Sequence, residues 1–250
     1  MMSVTLSNDK IYKGSLLLVN AQYPVQDFGE ERMIPVTEDT GEIRLRREAV
    51  YILRLIFERI HCSDSIVPVS AYRSAREQTE IYETSLQDNG EDFTRKFVAL
   101  PYHSEHQTGL AIDLGLKKEE IDFIRPDFPY EGVCHRFRKT APHYGFIERY
   151  PKGREQVTGI AHEPWHFRYV GYPHSEIMDV KGLTLEEYIA YIRQFPCDGS
   201  HLKWEKDGHE MEIFYVPASA AGNTRIRLPQ NVCYQVSGNN IDGFIVTIRR

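Results

Sequence analysis

Two short segments of the sequence combine histidine with acidic residues as a hydrolytic metal site requires. They are SEHQTGLAID at residues 104–113 and HEPWH at residues 162–166. A catalytic zinc site takes three ligands from His, Asp or Glu, keeps one position open for water and has a carboxylate base nearby. His106, Asp113 and His166 could supply three such ligands, so these segments are the candidates for such chemistry.

The spacing of these residues constrains the elements that carry them. His106 and Asp113 lie seven positions apart, so one unbroken strand would point them to opposite faces, and a turn at residues 108–109 is needed. A proline stands between His166 and Glu163, the candidate base, which argues against a helix interior and against the HExxH zinc helix. On spacing alone, a metal site and a group of surface polar residues both remain open.

The composition excludes some classes of function. The 250 residues include 30 Lys and Arg against 36 Asp and Glu, which gives a formal net charge of -6. Because phosphate binding requires a basic face, nucleic acid is not expected as a partner. Hydrophobic residues make up 41% of the chain and charged residues 26%, which is ordinary for a globular protein.

The amino-terminal region favours an intracellular protein. Charged residues interrupt the chain before the apolar run at 16–19, whereas a signal peptide needs about 7–15 uninterrupted apolar residues. No stretch of about 20 apolar residues occurs, so we expect no membrane span and a cytoplasmic location. The cysteines form no CxxC pair and are expected to be free thiols, with a disulfide as the alternative if the chain is exported: Cys62, Cys134, Cys197 and Cys233.

Hydrophobic periodicity predicts the elements that surround the two segments. An amphipathic helix is predicted over 46–60, and Ser74 with Glu77 forms a capping box that begins a second helix. The buried side of this second helix is expected to consist of Ile81, Tyr82 and Leu86. The polar, Gly-containing residues 87–98 are predicted to form a loop. Strands are predicted at 66–71 and 110–114, and further helices at 131–139 and 184–195.

The pattern changes after Pro196. Short segments rich in β-branched and aromatic residues are separated by Gly, Asn and Pro, which predicts a small antiparallel unit. Its strands are expected at 209–216, 224–228, 232–236 and 244–249. We therefore expect a catalytic domain over residues 1–197 and a small all-β appendage over residues 198–250.

The motifs resemble those of the LAS group of zinc peptidases, which includes D-alanyl-D-alanine carboxypeptidases and dipeptidases. The family patterns SxHxxGxAxD and ExWH are matched by SEHQTGLAID and EPWH, with no departure at a defining position. The resemblance extends to SAYRSAREQ (70–78), YGFIERYP (144–151) and TGIAHEPWHFRYVG (158–171), and it spans roughly residues 15–195. It implies an α+β fold with an antiparallel central sheet and flanking helices, which these peptidases share with Hedgehog-type domains.

The resemblance implies that His106, Asp113 and His166 bind one zinc ion per chain. Two neutral imidazoles and one carboxylate leave the ion a net positive charge, which lowers the pKa of bound water toward about 7. Glu163 then corresponds to the general base that takes the proton of the water and passes it to the leaving amine. The alternative for Glu163 is a carboxylate that only orients His166.

Further roles follow from the same resemblance. Arg73 is expected to stabilise the oxyanion of the tetrahedral intermediate, with a structural ion pair as the alternative. Ser104 and Gln78 correspond to the positions that hold the terminal carboxylate of the substrate. Gln78 lies near the amino-terminal end of a predicted helix, where an anion is favoured. Trp165 is interpreted as a packing residue behind the zinc.

Within this family the chain resembles the VanXY-type D,D-dipeptidase/D,D-carboxypeptidases of vancomycin-resistance clusters, on VALPYHSEHQTGLAID and GIAHEPWHFRYVG. The implied function is zinc-dependent hydrolysis of D-Ala-D-Ala or of the terminal D-residue of a peptidoglycan precursor. The alternatives are an L,D-carboxypeptidase, a murein endopeptidase, or a zinc-stabilised binding domain without activity. One further hypothesis concerns Asp88, Glu91 and Asp92, which in a closing loop would contact the ammonium group of a dipeptide.

Overall fold

The computed structural model describes residues 1–26, 33–37, 41–206 and 208–250. The strands are β1 (Met2–Ser7), β2 (Met33–Pro35), β3 (Arg44–Arg46), β4 (Ile66–Ser70), β5 (Ala111–Leu116), β6 (Phe146–Tyr150), β7 (Glu163–Tyr169), β8 (Leu202–Lys206), β9 (His209–Pro217), β10 (Asn223–Leu228), β11 (Cys233–Gly238) and β12 (Gly243–Arg249). The helices are α1 (Arg47–Ile60), α2 (Ala75–Asn89), α3 (Glu91–Phe97), α4 (Gly132–Thr140), α5 (Glu155–Thr158), α6 (His174–Lys181) and α7 (Leu185–Ile192). Short 3-10 helices cover Asn8–Tyr12, Glu105–Thr108 and Ala141–His143.

The chain divides into two compact units. One unit comprises Val19–Thr184, and the other combines Met1–Leu18 with Leu185–Arg250. The sequence places the boundary at 197/198, whereas these units divide between residues 184 and 185. The first residues belong to the β-rich unit because β1 pairs along its whole length with β10, a long-range pairing that local patterns do not indicate.

The unit formed by residues 19–184 is built on an antiparallel sheet with the strand order β4-β5-β7-β6. The antiparallel central sheet of the predicted α+β fold is therefore confirmed. Successive residues of a strand point to opposite faces, and in β5 and β7 this alternation separates two environments. Ile112 pairs with Phe167 on a face that belongs to the hydrophobic core, whereas Asp113 pairs with His166 on the opposite face.

The core face of the sheet is covered by α1 and α4. Helix α1 buries Val50, Leu53 and Phe57 at the spacing of an amphipathic helix, as its sequence predicts. The ring of Phe57 meets that of Phe137 of α4 edge-on, with the centroids 5.9 Å apart. Phe137 in turn packs against Phe167 with a centroid distance of 4.9 Å, so the helices and the sheet share one aromatic core.

Helix α2 begins as predicted but buries a different side. The Ser74 hydroxyl accepts a hydrogen bond from the backbone N–H of Glu77, and the Glu77 carboxylate accepts one from the N–H of Ser74. The expected buried stripe is wrong at Ile81, which is exposed at 38%, whereas Tyr82 and Leu86 are half-buried. The fully buried residues of α2 are Gln78 and Ser85. The buried hydroxyl of Ser85 forms a hydrogen bond with that of Thr94 of α3, with the two oxygens 2.8 Å apart.

Residues 87–98 are helical over most of their length, so the predicted loop is wrong. Helix α2 continues to Asn89, and α3 starts at Glu91 after a single turn residue, Gly90, at φ +78°. Glu91 forms an ion pair with Arg95 one turn later at 3.5 Å. The polar composition reflects an exposed helix with acids in its first turn and bases in its last, an arrangement that complements the helix dipole.

The β-rich unit contains the predicted all-β region together with residues 1–18 and 185–197. Strands β9, β11 and β12 lie close to their predicted positions and form a sheet of order β11-β12-β9-β8. Strand β10 pairs with β1 instead of joining this sheet. The apolar core of this unit includes Leu6, Phe214, Leu228, Phe244 and Val246.

Two simpler expectations can also be compared with the structure. All four cysteines are free: Cys62 and Cys134 are buried, and Cys197 and Cys233 are exposed. Across the part of the chain that the structure describes, no helix has both the length and the apolar character needed to cross a bilayer.

Candidate metal centre

His106 and Asp113 are brought together by a turn between two elements. His106 lies in the 3-10 helix Glu105–Thr108, which ends at Gly109, and β5 then carries Asp113. Gly109 has φ +66°, and a Cβ atom at this position would overlap the side chain of Met33. The left-handed backbone therefore favours glycine, and a larger residue would also have to displace the flexible end of the Met33 side chain. The predicted turn at 108–109 is confirmed.

The three candidate ligands converge with the geometry of a metal site. The Nε2 atom of His106 lies 3.2 Å from Oδ2 of Asp113, and Nδ1 of His166 lies 3.1 Å from Oδ1 of the same carboxylate. One ligand atom from each residue lies within 4.8 Å of the others, and all three side chains are buried. Oδ1 of Asp113 accepts no hydrogen bond of good geometry from the described residues. A buried carboxylate oxygen between two imidazoles fits a divalent cation, so the site is a possible metal centre.

The pKa values of the two imidazoles are shifted in opposite directions. Burial, with Arg73 nearby, lowers the pKa of His106 to about 4. Burial opposes protonation of His166 as well, but the nearby carboxylates of Asp113 and Glu105 outweigh it and raise the pKa of His166 to about 9. The pKa of Asp113 lies well below its usual range despite burial, because His106 and His166 stabilise the anion. A cation would therefore have to displace a proton from His166 when it binds.

Glu163 is the first residue of β7 and faces the same cluster. Its Oε2 atom lies 3.5 Å from Nδ1 of His166. Burial is the main cause that raises the pKa of Glu163 to about 8, and the negative charge of Asp113 adds to the shift. A carboxyl group that titrates near neutral pH can both accept and donate a proton in one reaction cycle. As the sequence predicts, the EPWH segment is not helical.

Arg73 reaches the centre from the segment between β4 and α2. Its Nη2 atom donates to Oδ2 of Asp113 at 2.9 Å, and its Nε atom donates to Oγ of Ser70 at 3.0 Å. Its Nη1 atom lies 3.5 Å from Oε1 of Gln78. The guanidinium group is therefore held beside the possible metal ligands by three side chains.

Gln78 and Ser104 lie in the same cavity. Gln78 is buried in the first turns of α2, and its Nε2 atom donates to the carbonyl oxygen of Ala99 at 2.8 Å. Ser104 is buried directly before the 3-10 helix that carries His106. Both amide atoms of Gln78 thus have protein partners, since its oxygen faces Arg73.

All of these side chains line one cavity of about 360 Å³. The candidate ligands, base, oxyanion-stabilising residue and carboxylate-binding residues all line it: Arg73, Gln78, Ser104, His106, Asp113, Glu163 and His166. The rest of the wall is largely apolar and includes Val69, Ile81, Phe97, Phe123, Ile124 and Trp165. A few convergent polar groups in an apolar cleft are typical of a small-ligand site. Trp165 also packs against the hydrophobic core, in line with the packing role expected for it.

Sequence reasoning missed a buried charged group beside the centre. Glu105 is fully buried and pairs with Arg149 of β6 and Arg168 of β7, which are also fully buried. Arg168 follows His166 by two positions, so strand alternation was a signal that both face the same side. Tyr150 is a second missed residue: it lines the cavity, and its ring centroid lies 4.8 Å from that of His166.

The acidic residues proposed to meet a dipeptide ammonium are not in this cavity. Asp88 belongs to the last turn of α2, and Glu91 and Asp92 form the first turn of α3. None of them lines the cavity that holds the possible metal ligands. Because these residues are helical rather than part of a loop, that hypothesis is not supported by the fold.

Comparisons with known proteins agree with the motifs. The family model "VanY: D-alanyl-D-alanine carboxypeptidase" matches residues 42–172. The bifunctional D-Ala-D-Ala dipeptidase and D-Ala-D-Ala carboxypeptidase VanXYC of Enterococcus gallinarum is 40% identical over 182 residues, covering 72% of this chain and 96% of that protein. A D-alanyl-D-alanine carboxypeptidase of Enterococcus faecium is 34% identical and covers 98% of this chain and 78% of its own length.

Solved structures extend the similarity to the whole chain. The vancomycin-resistance D,D-dipeptidase VanXYg, solved in complex with a D-Ala-D-Ala phosphinate analogue, is 55% identical with a TM-score of 0.97, covering 100% of this chain and 99% of that chain. The predicted fold class and the resemblance to VanXY-type enzymes are confirmed. The chain belongs to the VanY family of D-alanyl-D-alanine carboxypeptidases and is a peptidase.

Proposed function

We propose that this chain is a cytoplasmic zinc peptidase that hydrolyses D-Ala-D-Ala and removes the terminal D-residue from peptidoglycan precursors. The observation that carries the proposal is the convergence of His106, Asp113 and His166 with Glu163 and Arg73 in one cavity. Relatives named as D,D-dipeptidases and D,D-carboxypeptidases support the substrate class. Removal of these termini would deplete the target of glycopeptide antibiotics.

His106, Asp113 and His166 would hold one zinc ion per chain. When bound, zinc would polarise the scissile carbonyl and make water a stronger nucleophile near neutral pH. His106 is oriented for this role by its backbone contact, because Nδ1 lies 2.5 Å from the carbonyl oxygen of Ala71 and leaves Nε2 facing Asp113. The choice of two imidazoles and one carboxylate suits zinc among the common divalent ions.

Glu163 would move the proton. It would take a proton from the attacking water and deliver it to the nitrogen of the leaving D-residue, so that one carboxyl group serves both halves of the reaction. Its raised pKa of about 8 supports delivery of the proton near neutral pH. A positioned group of this kind typically contributes about 10²–10⁴ in rate.

Arg73, Gln78 and Ser104 would hold the substrate. The guanidinium group of Arg73 is fixed by Asp113 and Ser70 and would stabilise the oxyanion that forms on the scissile carbonyl. Gln78 and Ser104 would bind the terminal carboxylate, and Gln78 lies at the amino-terminal end of α2, where the helix dipole favours an anion. An aliphatic and aromatic wall would surround the small side chains of a D-Ala dipeptide.

The proposal retains the predicted domain roles. Every proposed site residue lies within residues 19–184, so the proposed catalytic domain, residues 1–197, contains them all. Residues 198–250 would be a β appendage that contributes no catalytic residue. Because β10 pairs with β1, the appendage would also keep the amino-terminal strand in place.

A second specificity has support from one comparison. The LD-carboxypeptidase LdcB is 32% identical with a TM-score of 0.60, covering 69% of this chain and 84% of that chain. An enzyme of that specificity would cleave a terminal D-residue after an L-residue. The presence of Glu163 and Arg73 in the cavity argues against a binding domain without activity.

Turnover of defined peptides tests these alternatives. The zinc-loaded protein is incubated with D-Ala-D-Ala, with a pentapeptide ending in D-Ala-D-Ala, with an L,D-terminated tetrapeptide and with an amidated pentapeptide. We expect release of D-Ala from the first two substrates only, and no release after chelation. Cleavage of only the L,D-peptide would favour the second specificity, and cleavage of the amidated peptide would indicate an endopeptidase. Absence of any turnover would overturn the enzymatic proposal.

A further inference from the structure

Glu105 occupies an unusual position directly behind the metal centre. It is fully buried, and its Oε1 atom accepts hydrogen bonds from Nε of Arg149 at 2.8 Å and from Nη1 of Arg168 at 2.7 Å. The other oxygen, Oε2, accepts no hydrogen bond from the described residues. Both arginines are thus on one carboxylate oxygen, and the second oxygen is left for another partner.

The outer nitrogen of a proposed zinc ligand lies close to this second oxygen. Oε2 of Glu105 lies 3.8 Å from Nε2 of His166, and Nε2 likewise has no hydrogen-bond partner among the described residues. The opposite nitrogen of the ring, Nδ1, faces Asp113 and Glu163. The imidazole therefore has one nitrogen toward the centre and one toward Glu105.

His106 shows what the outer nitrogen of a ligand in this centre requires. Its Nδ1 atom contacts the carbonyl oxygen of Ala71, which fixes the ring so that Nε2 faces the cluster. Metal-binding histidines usually donate their second N–H to a carboxylate or a carbonyl, and this contact sets the tautomer and the orientation of the ring. For His166, among the described residues, the group placed to accept that N–H is Glu105.

We propose that Glu105 is a positioning residue that accepts the Nε2–H of His166 and thereby holds Nδ1 toward the metal, an inference that rests on the proposed role of His166 as a ligand. Arg149 and Arg168 hold the carboxylate in place through Oε1 and keep it ionised in a buried site. Glu105 directly precedes His106, so one 3-10 helix provides a ligand and orients the ligand that comes from β7.

The test compares zinc affinity in Glu105→Gln with that in Glu176→Gln. Glu176 is a buried carboxylate that contacts His143 at 2.7 Å and does not line the cavity, so its variant controls for the loss of a buried charge. Zinc dissociation constants are measured by competition with a chromogenic chelator, and folding is checked by circular dichroism and thermal unfolding. We expect Glu105→Gln to weaken zinc binding by about 10–100-fold and Glu176→Gln to leave it within twofold.

A second measurement reports on the ring itself. In zinc-loaded protein with ¹⁵N-labelled histidine, the Nε2 proton of His166 should resonate downfield because a carboxylate accepts it, and this signal should shift upfield in Glu105→Gln. If Glu105→Gln does not fold, the double variant Glu105→Gln/Arg168→Met removes one charge of each sign, and the same loss of affinity is expected. A folded variant that binds zinc as tightly as the wild type and keeps this proton signal would overturn the inference.

Failure of this inference is distinguishable from failure of the proposed function. His166→Ala is measured in the same chelator assay. If His166→Ala loses zinc and Glu105→Gln does not, only the role of Glu105 is wrong. If His166→Ala binds zinc as the wild type does, His166 is not a ligand and both proposals are overturned.

Discussion

The two faces of the central sheet carry side chains of opposite character. On one face, Ile112 and Phe167 pair within an apolar core, and Phe167 contacts Phe128 and Phe137 edge-on. On the other face, Asp113 and His166 pair at the proposed metal centre. A single residue step along β5 or β7 therefore separates a side chain that stabilises the fold from one proposed to perform chemistry.

The difference teaches how the site is kept in register. A strand that slipped by one residue would bury Asp113 and His166 in the apolar core and expose Phe167, which is energetically prohibitive. The aromatic packing of the core face consequently also fixes which side chains converge on the opposite face. Each face can be perturbed separately, and the following predictions do so.

The largest effect is expected in turnover, from a change on the chemical face of the sheet, the face that carries Asp113 and His166. Glu163→Gln removes the proposed proton carrier but preserves size, so the turnover number should fall by about 10²–10⁴-fold with zinc still bound. Metal content and rate are measured on the same sample, and His166→Ala, which should lose the metal, is the control. Stoichiometric zinc together with a near-native rate in Glu163→Gln would rule out this role.

On the core face, stability rather than zinc affinity should change. Phe167→Ala removes a fully buried ring that contacts two others, so the free energy of unfolding should fall by about 3–5 kcal/mol. Urea denaturation of the zinc-stripped protein measures this loss, and zinc affinity is then measured under conditions where the variant is folded. A tenfold loss of affinity in the folded variant would mean that the two faces are not separable.

The chemical face should also make stability depend on pH. Glu163 and His166 have folded-state pKa values raised to about 8 and about 9, so the folded state holds both protons more tightly than the unfolded chain. Their contribution is present at low pH and is lost as the pH rises through these values. Between pH 5 and pH 9 the free energy of unfolding of the zinc-stripped protein should fall, by up to several kcal/mol, because each pKa unit corresponds to about 1.4 kcal/mol. Glu163→Gln should reduce this slope, and an unchanged slope would contradict the assignment.

A smaller effect is expected where the site meets a helix cap. Ser74→Ala removes the side-chain oxygen that accepts the Glu77 N–H at the start of α2, which carries Gln78. The free energy of unfolding should fall by about 1 kcal/mol. If Gln78 binds the substrate, the Michaelis constant for D-Ala-D-Ala should rise slightly, while zinc affinity stays unchanged. Thermal unfolding and steady-state kinetics provide both readouts.

The smallest effect is expected from the exposed acids. Because Asp88, Glu91 and Asp92 do not line the cavity, replacing all three with their amides should leave the Michaelis constant for D-Ala-D-Ala within about twofold. An N-acylated dipeptide, which lacks the ammonium group, serves as the control substrate. A selective rise for the free dipeptide would restore the hypothesis that these acids contact the ammonium.

The sequence by itself determined which residues form the candidate site and much of the local structure. The motif residues from Arg73 to His166 could be named because their types and spacing match one family, and the capping box at Ser74 and the turn at residues 108–109 follow from local interactions. Local rules also predicted α1, β5 and the strands near the carboxyl terminus, since each depends on a periodic pattern or on a turn residue.

Only the tertiary structure decided what depends on contacts between distant segments. The partnership of Glu105 with Arg149 and Arg168 joins residues 44 and 63 positions apart, and no local pattern marks a buried carboxylate between two arginines. The pairing of β1 with β10, the turning of Ile81 toward the cavity and the helical state of residues 91–97 likewise depend on which surfaces meet. Periodicity predicts whether a side chain will be buried or exposed. The packing of the folded chain decides which residues that side chain contacts.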